Sequence, residues 1–369
     1  RQRQMCIRDR LGVAGCTALL LIGFGIQDSI LPIVDKQSGQ LTHNDLTISL
    51  SDEKALTMEQ GLADTLDSSS AVRSWGAFYT KSTTLYNEEG GSADVSIVGA
   101  EDDARMTEYF TFRTRVGHDP IPFEEDSVIL TEKTALNLEL SVGDTFYVEA
   151  ADGSRVPLVL TGITENYMFT RLYLSNAQLQ ALLGNTPEWN TVYGLTGCTT
   201  EAEYNALRTK LLGCNYVSSV SFTEDTTSMF GSLIGSLNYV VVLIIVCAAA
   251  LAAVVLYNLI SVNLAERKKE LATIKVLGFY DKEVYRYIFR EIELLSLIGS
   301  GVGLLLGVPL HRFIILTVEM DQLMFIRTIA PRSYLLAVAL TMLFTVVVCF
   351  AMRRHVRHIS MVESMKAPE

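Results

Sequence analysis

YVVVLIIVCAAALAAVVLY, Tyr239 to Tyr257, is the stretch whose reading decides the fold. It has no polar face to give to water, so a helix made from it is buried all round. Three further runs lack Asp, Glu, Lys and Arg: Leu11 to Gln27, Leu294 to His311 and Ser333 to Met352. A helix crossing a bilayer needs about 20 apolar residues. Four spans are expected, at 11–27, 237–262, 288–311 and 333–352. The second is trimmed because its charge-free run opens on the polar TTSMFGSLIGS, Thr226 to Ser236. The fold class is therefore a multi-pass α-helical membrane protein. A large α/β extracytoplasmic domain, 28–235, lies between spans one and two.

Cations set the orientation. Arg1, Arg3, Arg8 and Arg10 precede the first span. Arg267, Lys268, Lys269, Lys275, Lys282, Arg286 and Arg290 follow the second, and Arg353, Arg354, Arg357 and Lys366 follow the fourth. Lys and Arg beside spans stay on the cytoplasmic side. Both termini are then cytoplasmic, with the tail at 353–369, and the protein sits in a bacterial plasma membrane. The opening RQRQMCIRDR resembles a translated sequencing adapter, so 1–10 is read as a non-native or truncated N-terminus. The orientation survives on the other two clusters.

The chain carries a net charge of −11, but unevenly. Residues 27–235 hold 30 acidic and 12 basic side chains. Such an acidic surface argues against nucleic acid as a partner. Its pattern is that of alternating strands and short helices. DLTISL (Asp45 to Leu50), Val72 to Tyr86 and Asp94 to Val98 read as strands, and Thr57 to Leu66 as a helix. Phe146 to Ala150 and Val156 to Thr161 form a hairpin about Asp152-Gly153. Thr191 to Leu195, Glu201 to Leu212 and Val217 to Phe222 read as β-α-β. Two subdomains are expected, one inserted at about 100–188. Cys198 and Cys214 flank a helix of about 12 residues, about 18 Å long, which disfavours a disulfide between them.

Catalytic signals are missing. Gly-Lys does not occur, so the chain lacks the P-loop that cradles nucleotide phosphates. The histidines, His43, His118, His311, His355 and His358, form no HExxH. His355 and His358 sit in RRHVRH, a basic interfacial flank or, less simply, a metal pair. The acidic runs Glu101 to Asp103 and Glu124 to Asp126 read as solvated loops. No catalytic residue, metal ligand or cofactor of the chain's own is expected.

Two features remain. Gly299, Gly303 and Gly307 recur every four residues on one helix face, where small residues allow close helix approach in lipid. This reads as tight internal packing or as a sliding or dimer interface. Between the second and third spans, NLAERKKELATIKVLGFYDKEVYRYIFRE (Asn263 to Glu291) mixes both charge signs on helix-forming residues. Gly278 can end its first helix and Asp281 can cap the next. A helix on lipid headgroups would be more uniformly cationic, so a partner-docking surface at 263–287 explains the segment better.

These residues resemble a known family. NLAERKKELATIKVLGF, EVYRYIFRE and LIGSGVGLLLG, with the tail IRTIAPRSYLLAV…ISMVESMKAPE, are similar to the permease of the FtsX-like/MacB-type ABC transporter family. VILTEKTALNLELSVGDTFYV resembles that family's extracytoplasmic MacB-like core domain. The resemblance implies a mechanotransmission permease driven by a separate cytoplasmic ABC ATPase, which uses the ATP. It places Glu266, Arg267, Glu270, Leu271 and Lys275 on the coupling helix, with Gly278 as its break. It implies a second permease unit, by homodimerisation or as a missing N-terminal half, within membrane lipid. The substrate class would be peptide, lipid or lipoprotein, for export, extraction or resistance. Alternatives are an FtsX-type cell-division regulator of wall hydrolases and an ATP-independent membrane sensor.

Overall fold

The computed structural model describes residues 2–58, 61–150, 153–266 and 280–357. The chain divides into two compact units. One comprises Arg1–Leu31, Ile234–Val318 and Ile326–Glu369; the other comprises Pro32–Leu233 and Glu319–Phe325.

The chain opens with helix α1 (Gln2–Ile30). The second unit begins with the short helix α2 (Ile33–Lys36) and a π-helical turn, Gln37–Leu41. Strand β1 (Leu46–Leu50) alternates buried and half-buried residues, as a strand covered on one face must. Two short helices follow, α3 (Lys54–Thr57) and α4 (Leu62–Asp67), where the sequence predicts one. Gly61 lies between them with extended backbone.

Strand β2 (Val72–Tyr86) is the spine of the unit, and β3 (Ser92–Ala100) returns beside it. Helix α5 (Asp103–Tyr109) starts inside the acidic run expected to be loop. Asp102 explains the difference: its carboxylate accepts the Ala104 N–H at 3.0 Å and caps the helix. Then come β4 (Val128–Thr131), α6 (Glu132–Asn137) and the antiparallel pair β5 (Thr145–Glu149) and β6 (Arg155–Val159). β7 (Gly162–Thr164) and β8 (Arg171–Leu174) lead into α7 (Asn176–Leu183). Ser175 caps α7, and Gly184, at φ +70°, closes it in the left-handed conformation that glycine adopts without strain. The unit ends on β9 (Thr191–Thr196), α8 (Glu201–Leu212) and β10 (Val217–Phe222). A reciprocal Thr200–Glu203 capping box starts α8.

All ten strands join one sheet, in the order β10-β1-β9-β2-β3-β8-β4-β7, with β5 and β6 attached through β2. β2 pairs with β9 over its first half, with β3 over its second and with β5 at its end. The predicted final β-α-β is split, because β1 runs antiparallel between β9 and β10. Leu46, Ile48, Val192, Leu207, Leu211 and Phe222 share the core behind that insertion. A second core gathers Leu85, Leu130, Phe146, Leu160 and Leu172, and an aromatic one Phe78, Tyr109, Phe110 and Tyr193. Cys198 and Cys214, near the two ends of α8, are free thiols.

Three long helices complete the chain: α9 (Thr223–Glu266), α10 (Asp281–Val318) and α11 (Pro331–Arg357). Among the described residues, Gly12–Leu41, Phe289–Val318 and Pro331–Ala351 are long and apolar enough to cross a membrane. The expected second span falls in α9, whose apolar stretch is the shorter Val242–Asn258. In the helical unit Leu20 and Leu21 of α1 pack with Ala248 and Ala337. Leu243, Leu305, Leu335 and Phe350 are each more than half exposed. Large apolar side chains facing outward on several helices suit a lipid solvent, not water.

Candidate functional site

Glu266 is the last residue of α9, and its side chain is outside the described residues. Arg267, Glu270, Leu271, Lys275 and Gly278 also lie outside them. The entry to α10 is described. Asp281, expected as its cap, is already its first residue. Glu283 makes a capping interaction: its carboxylate accepts the Tyr280 N–H at 3.0 Å while the Glu283 N–H donates to the Tyr280 carbonyl at 2.8 Å, and the Asp281 side chain lies outside the described residues.

The glycine face of α10 meets α1. A Cβ on Gly303 would lie 2.5 Å from the Ala14 carbonyl oxygen and 2.7 Å from the Thr17 Cβ. On Gly307 it would meet the Leu21 Cδ2 at 2.9 Å and the Ala18 Cα at 3.3 Å. Gly299 is buried on the same face. Gly301, between them, faces open space. The four-residue spacing thus lets two backbones approach closely, which in lipid replaces the missing hydrophobic drive between helices.

Beside this seam lies a polar knot that sequence reasoning missed. The Thr17 hydroxyl is 3.1 Å from that of Thr341 and donates to the Ser300 hydroxyl at 3.4 Å, and all three side chains are fully buried. Ser300 and Thr341 also donate to their own helices, to the Ser296 and Ala337 carbonyls, and the single Thr17 proton is shared between Ser300 and the Val13 carbonyl at 3.0 Å. Hydroxyl residues inside three apolar runs were the available signal, and nothing in the sequence singled out these three among them.

Asp28 was missed as well. Buried near the end of α1, it accepts the Ala330 N–H at 3.0 Å, the Arg332 guanidinium at 3.1 Å and the Ser333 hydroxyl. It therefore caps α11 from another helix, where a carboxylate complements the helix dipole. Pro331 at the first helical position marks this start in the sequence, but its capping partner is about 300 residues away.

In the sheet-bearing unit, the segment Glu319–Phe325 between α10 and α11 is built into the fold. The Phe169 N–H donates to the Gln322 carbonyl at 3.0 Å, and the Met324 N–H donates to the Tyr167 carbonyl at 3.0 Å. Met168 and Leu323 form an antiparallel bridge. Lys133 on α6 pairs with Glu319 at 3.1 Å, and the two side chains are 13% and 2% exposed. Next to it, buried Glu165 accepts Arg113 at 2.6 Å and the Tyr167 hydroxyl. Burial, reinforced by that bond to Glu165, holds the Tyr167 phenol well above the ordinary tyrosine range.

The first acidic run does structural work, whereas Glu124 to Asp126 is an exposed turn. Asp102 caps α5, and Asp103 accepts the Asn176 N–H at 2.8 Å. Among the described residues no three metal-ligating side chains gather. His355 lies on α11, and His358 lies outside the described residues.

These features define a class: a helical membrane protein with a large α/β unit that follows its first long helix along the chain. Comparison with known proteins identifies it further. The MacB-like periplasmic core domain matches residues 11–209, and the FtsX-like permease C-terminal domain matches residues 242–361. The chain belongs to the FtsX-like/MacB-type ABC transporter permease family. It is therefore a transporter permease component with a periplasmic-type domain, and such permeases normally work with a cytoplasmic ATPase.

Among solved structures, the periplasmic region of MacB from Actinobacillus actinomycetemcomitans is similar at 13% identity and a TM-score of 0.33. The match covers 51% of this chain and 93% of that one. The extracellular domain of the noncanonic ABC-type transporter YknZ from Gram-positive bacteria is similar at 13% identity and a TM-score of 0.32. It covers 49% of this chain and 99% of that one. No curated relative matches the chain.

Proposed function

We propose that the chain is a mechanotransmission permease with four spans and both termini in the cytoplasm of a bacterial cell. A separate ATPase docks on the helix at 263–287 through Glu266, Arg267, Glu270, Leu271 and Lys275, with Gly278 as the break before α10. ATP is bound and used by that partner, and this chain holds no cofactor. A second permease unit, a second copy or another half, completes the assembly in lipid. The work done is export, extraction or resistance against a peptide, lipid or lipoprotein-type substrate.

The observation that carries this reading is the threading of the chain. It passes between the two units after Leu31, Leu233, Val318 and Phe325. Each of α1, α9, α10 and α11 is thus covalently continuous with the sheet-bearing unit. Displacement of any of these helices therefore pulls on it directly. Tight packing of α1 against Gly303 and Gly307 makes those two helices move together, because close-packed interiors transmit displacement and do not absorb it.

The test is docking. Leu271→Asp combined with Lys275→Glu is expected to abolish co-purification of an ABC ATPase from native membranes, with the permease still folded by thermal melting. Undiminished recovery of the ATPase with that variant would overturn the docking assignment.

A further inference from the structure

The sheet-bearing unit contains a cavity of about 270 Å³ that the permease reading does not use. Its wall joins the segment entering the unit (Val34, Asn44) to that leaving it (Thr223), with Met168, Phe169 and Arg171 at the β8 end. That volume is at the small end for ligand sites and suits a single residue or headgroup.

Three observations point to its occupant. The first is Arg171. Its guanidinium lies over the Phe110 ring at 5.5 Å and the Phe169 ring at 5.9 Å. Its hydrogen bond to the Tyr173 hydroxyl is long, at 3.4 Å. Among the described residues it has no carboxylate partner, although acidic side chains outnumber basic ones 30 to 12 over residues 27–235. The two rings flank the guanidinium without using its N–H groups, so donors beyond the one turned to Tyr173 are left for a planar anion.

The second observation is Asn44. It is only 5% exposed, and its Oδ1 has no hydrogen-bond partner among the described residues. Its Nδ2 donates to the Thr47 hydroxyl at 3.1 Å, and Oδ1 is left as the unsatisfied acceptor. A buried acceptor left unmade is costly, so the site calls for an N–H or O–H donor.

The third is Phe169, a non-glycine residue at φ 65° that is 45% exposed. The Asn166 amide donates to both the Met168 and Phe169 carbonyls and holds this backbone in place. A bulky residue kept in the left-handed region is strain of the kind found at ligand clamps.

We propose that this cavity binds the C-terminal residue of a peptide. Its carboxylate pairs with Arg171, its N–H satisfies the Asn44 Oδ1, and its apolar side chain lies against Val34, Met168 and Phe169. Inorganic phosphate supplies the anion but neither the N–H nor the apolar group. The site requires no ATPase, so it stands or falls apart from the docking assignment.

The test uses the full chain in lipid nanodiscs with N-acetyl-Ala-Ala-Leu and N-acetyl-Ala-Ala-Phe as free acids and as C-terminal amides. Calorimetry is expected to show saturable binding of at least one free acid, at least tenfold weaker binding of its amide and no competition by inorganic phosphate. Arg171→Lys should weaken the acid at least tenfold, because a lysine cannot pair in two-pronged fashion. Asn44→Asp, which sets a like charge against the ligand, should abolish binding even if Arg171→Lys fails to fold. Equal binding of acid and amide, equal competition by phosphate, or no saturation by either acid overturns the proposal. So does binding that a folded Asn44→Asp leaves unchanged.

Discussion

Replacing Gly303 with alanine adds a single methyl group to α10, and its cost can be worked out from the contacts. The new Cβ would lie 2.5 Å from the Ala14 carbonyl oxygen, 2.7 Å from the Thr17 Cβ and 3.1 Å from the Ala14 Cα. Two of these obstacles are backbone atoms, so no flexible side chain can swing away. The helices must separate by several tenths of an ångström, and a gap of about 0.5–1 Å forfeits a quarter to a half of each dispersion contact. Overpacking of this kind costs about 1–3 kcal/mol.

Gly301→Ala is the matched control, since its Cβ meets nothing within 4 Å. Both substitutions gain the same helix propensity, about 1 kcal/mol. The difference between them is therefore the overlap alone, about 2 kcal/mol. Thermal melting of the purified protein in one detergent should place Gly303→Ala roughly 4–8 °C below Gly301→Ala. If the two variants melt together, α1 and α10 do not meet at Gly303 as described, and the shared motion of these helices loses its basis.

Three further outcomes are expected. Lys133→Met removes the ammonium that pairs with buried Glu319 and should destabilise the unit by about 1–3 kcal/mol; hydrogen exchange should accelerate across 319–325, and unchanged protection would refute the pairing. Asp28→Ala removes three hydrogen bonds at the start of α11 and should destabilise the protein by about 2–3 kcal/mol, whereas Asp28→Asn should recover part of this, read by detergent melting. The buried phenols Tyr167 and Tyr173 have raised pKa values, Tyr167 mainly through burial and then Glu165, Tyr173 through burial. Their folded forms hold the proton longer than the unfolded chain does, so stability is fully present below about pH 10 and is lost as pH rises above it. Absorbance titration near 295 nm should show a late-ionising fraction that Tyr167→Phe reduces.

Much of the fold is legible in short stretches. The hairpin of β5 and β6 follows from alternation around Asp152-Gly153, and the apolar runs mark the long helices because hydropathy needs no partner to be read. The glycine spacing marks a small-residue face on α10, and Gly303 and Gly307 of that face lie against α1. It could not say that the partner is α1, since Ala14 and Thr17 carry no complementary mark. The single helix predicted over 57–66 became two, and Asp102 turned an apparent loop into the start of α5. Both differences arise from local capping and backbone geometry at one or two residues.

Periodicity, charge and turn chemistry are properties of neighbours along the chain, and they alone point to a membrane protein with a large acidic α/β insert. The tertiary structure decided which distant residues meet. It slid β1 between β9 and β10, set Asp28 on the N-terminus of α11 and seated 319–325 against Lys133 and Tyr167. It also brought Asn44 and Arg171 to one cavity from opposite ends of the unit. Such pairings depend on long-range packing, and no residue on either side advertises its partner in the sequence.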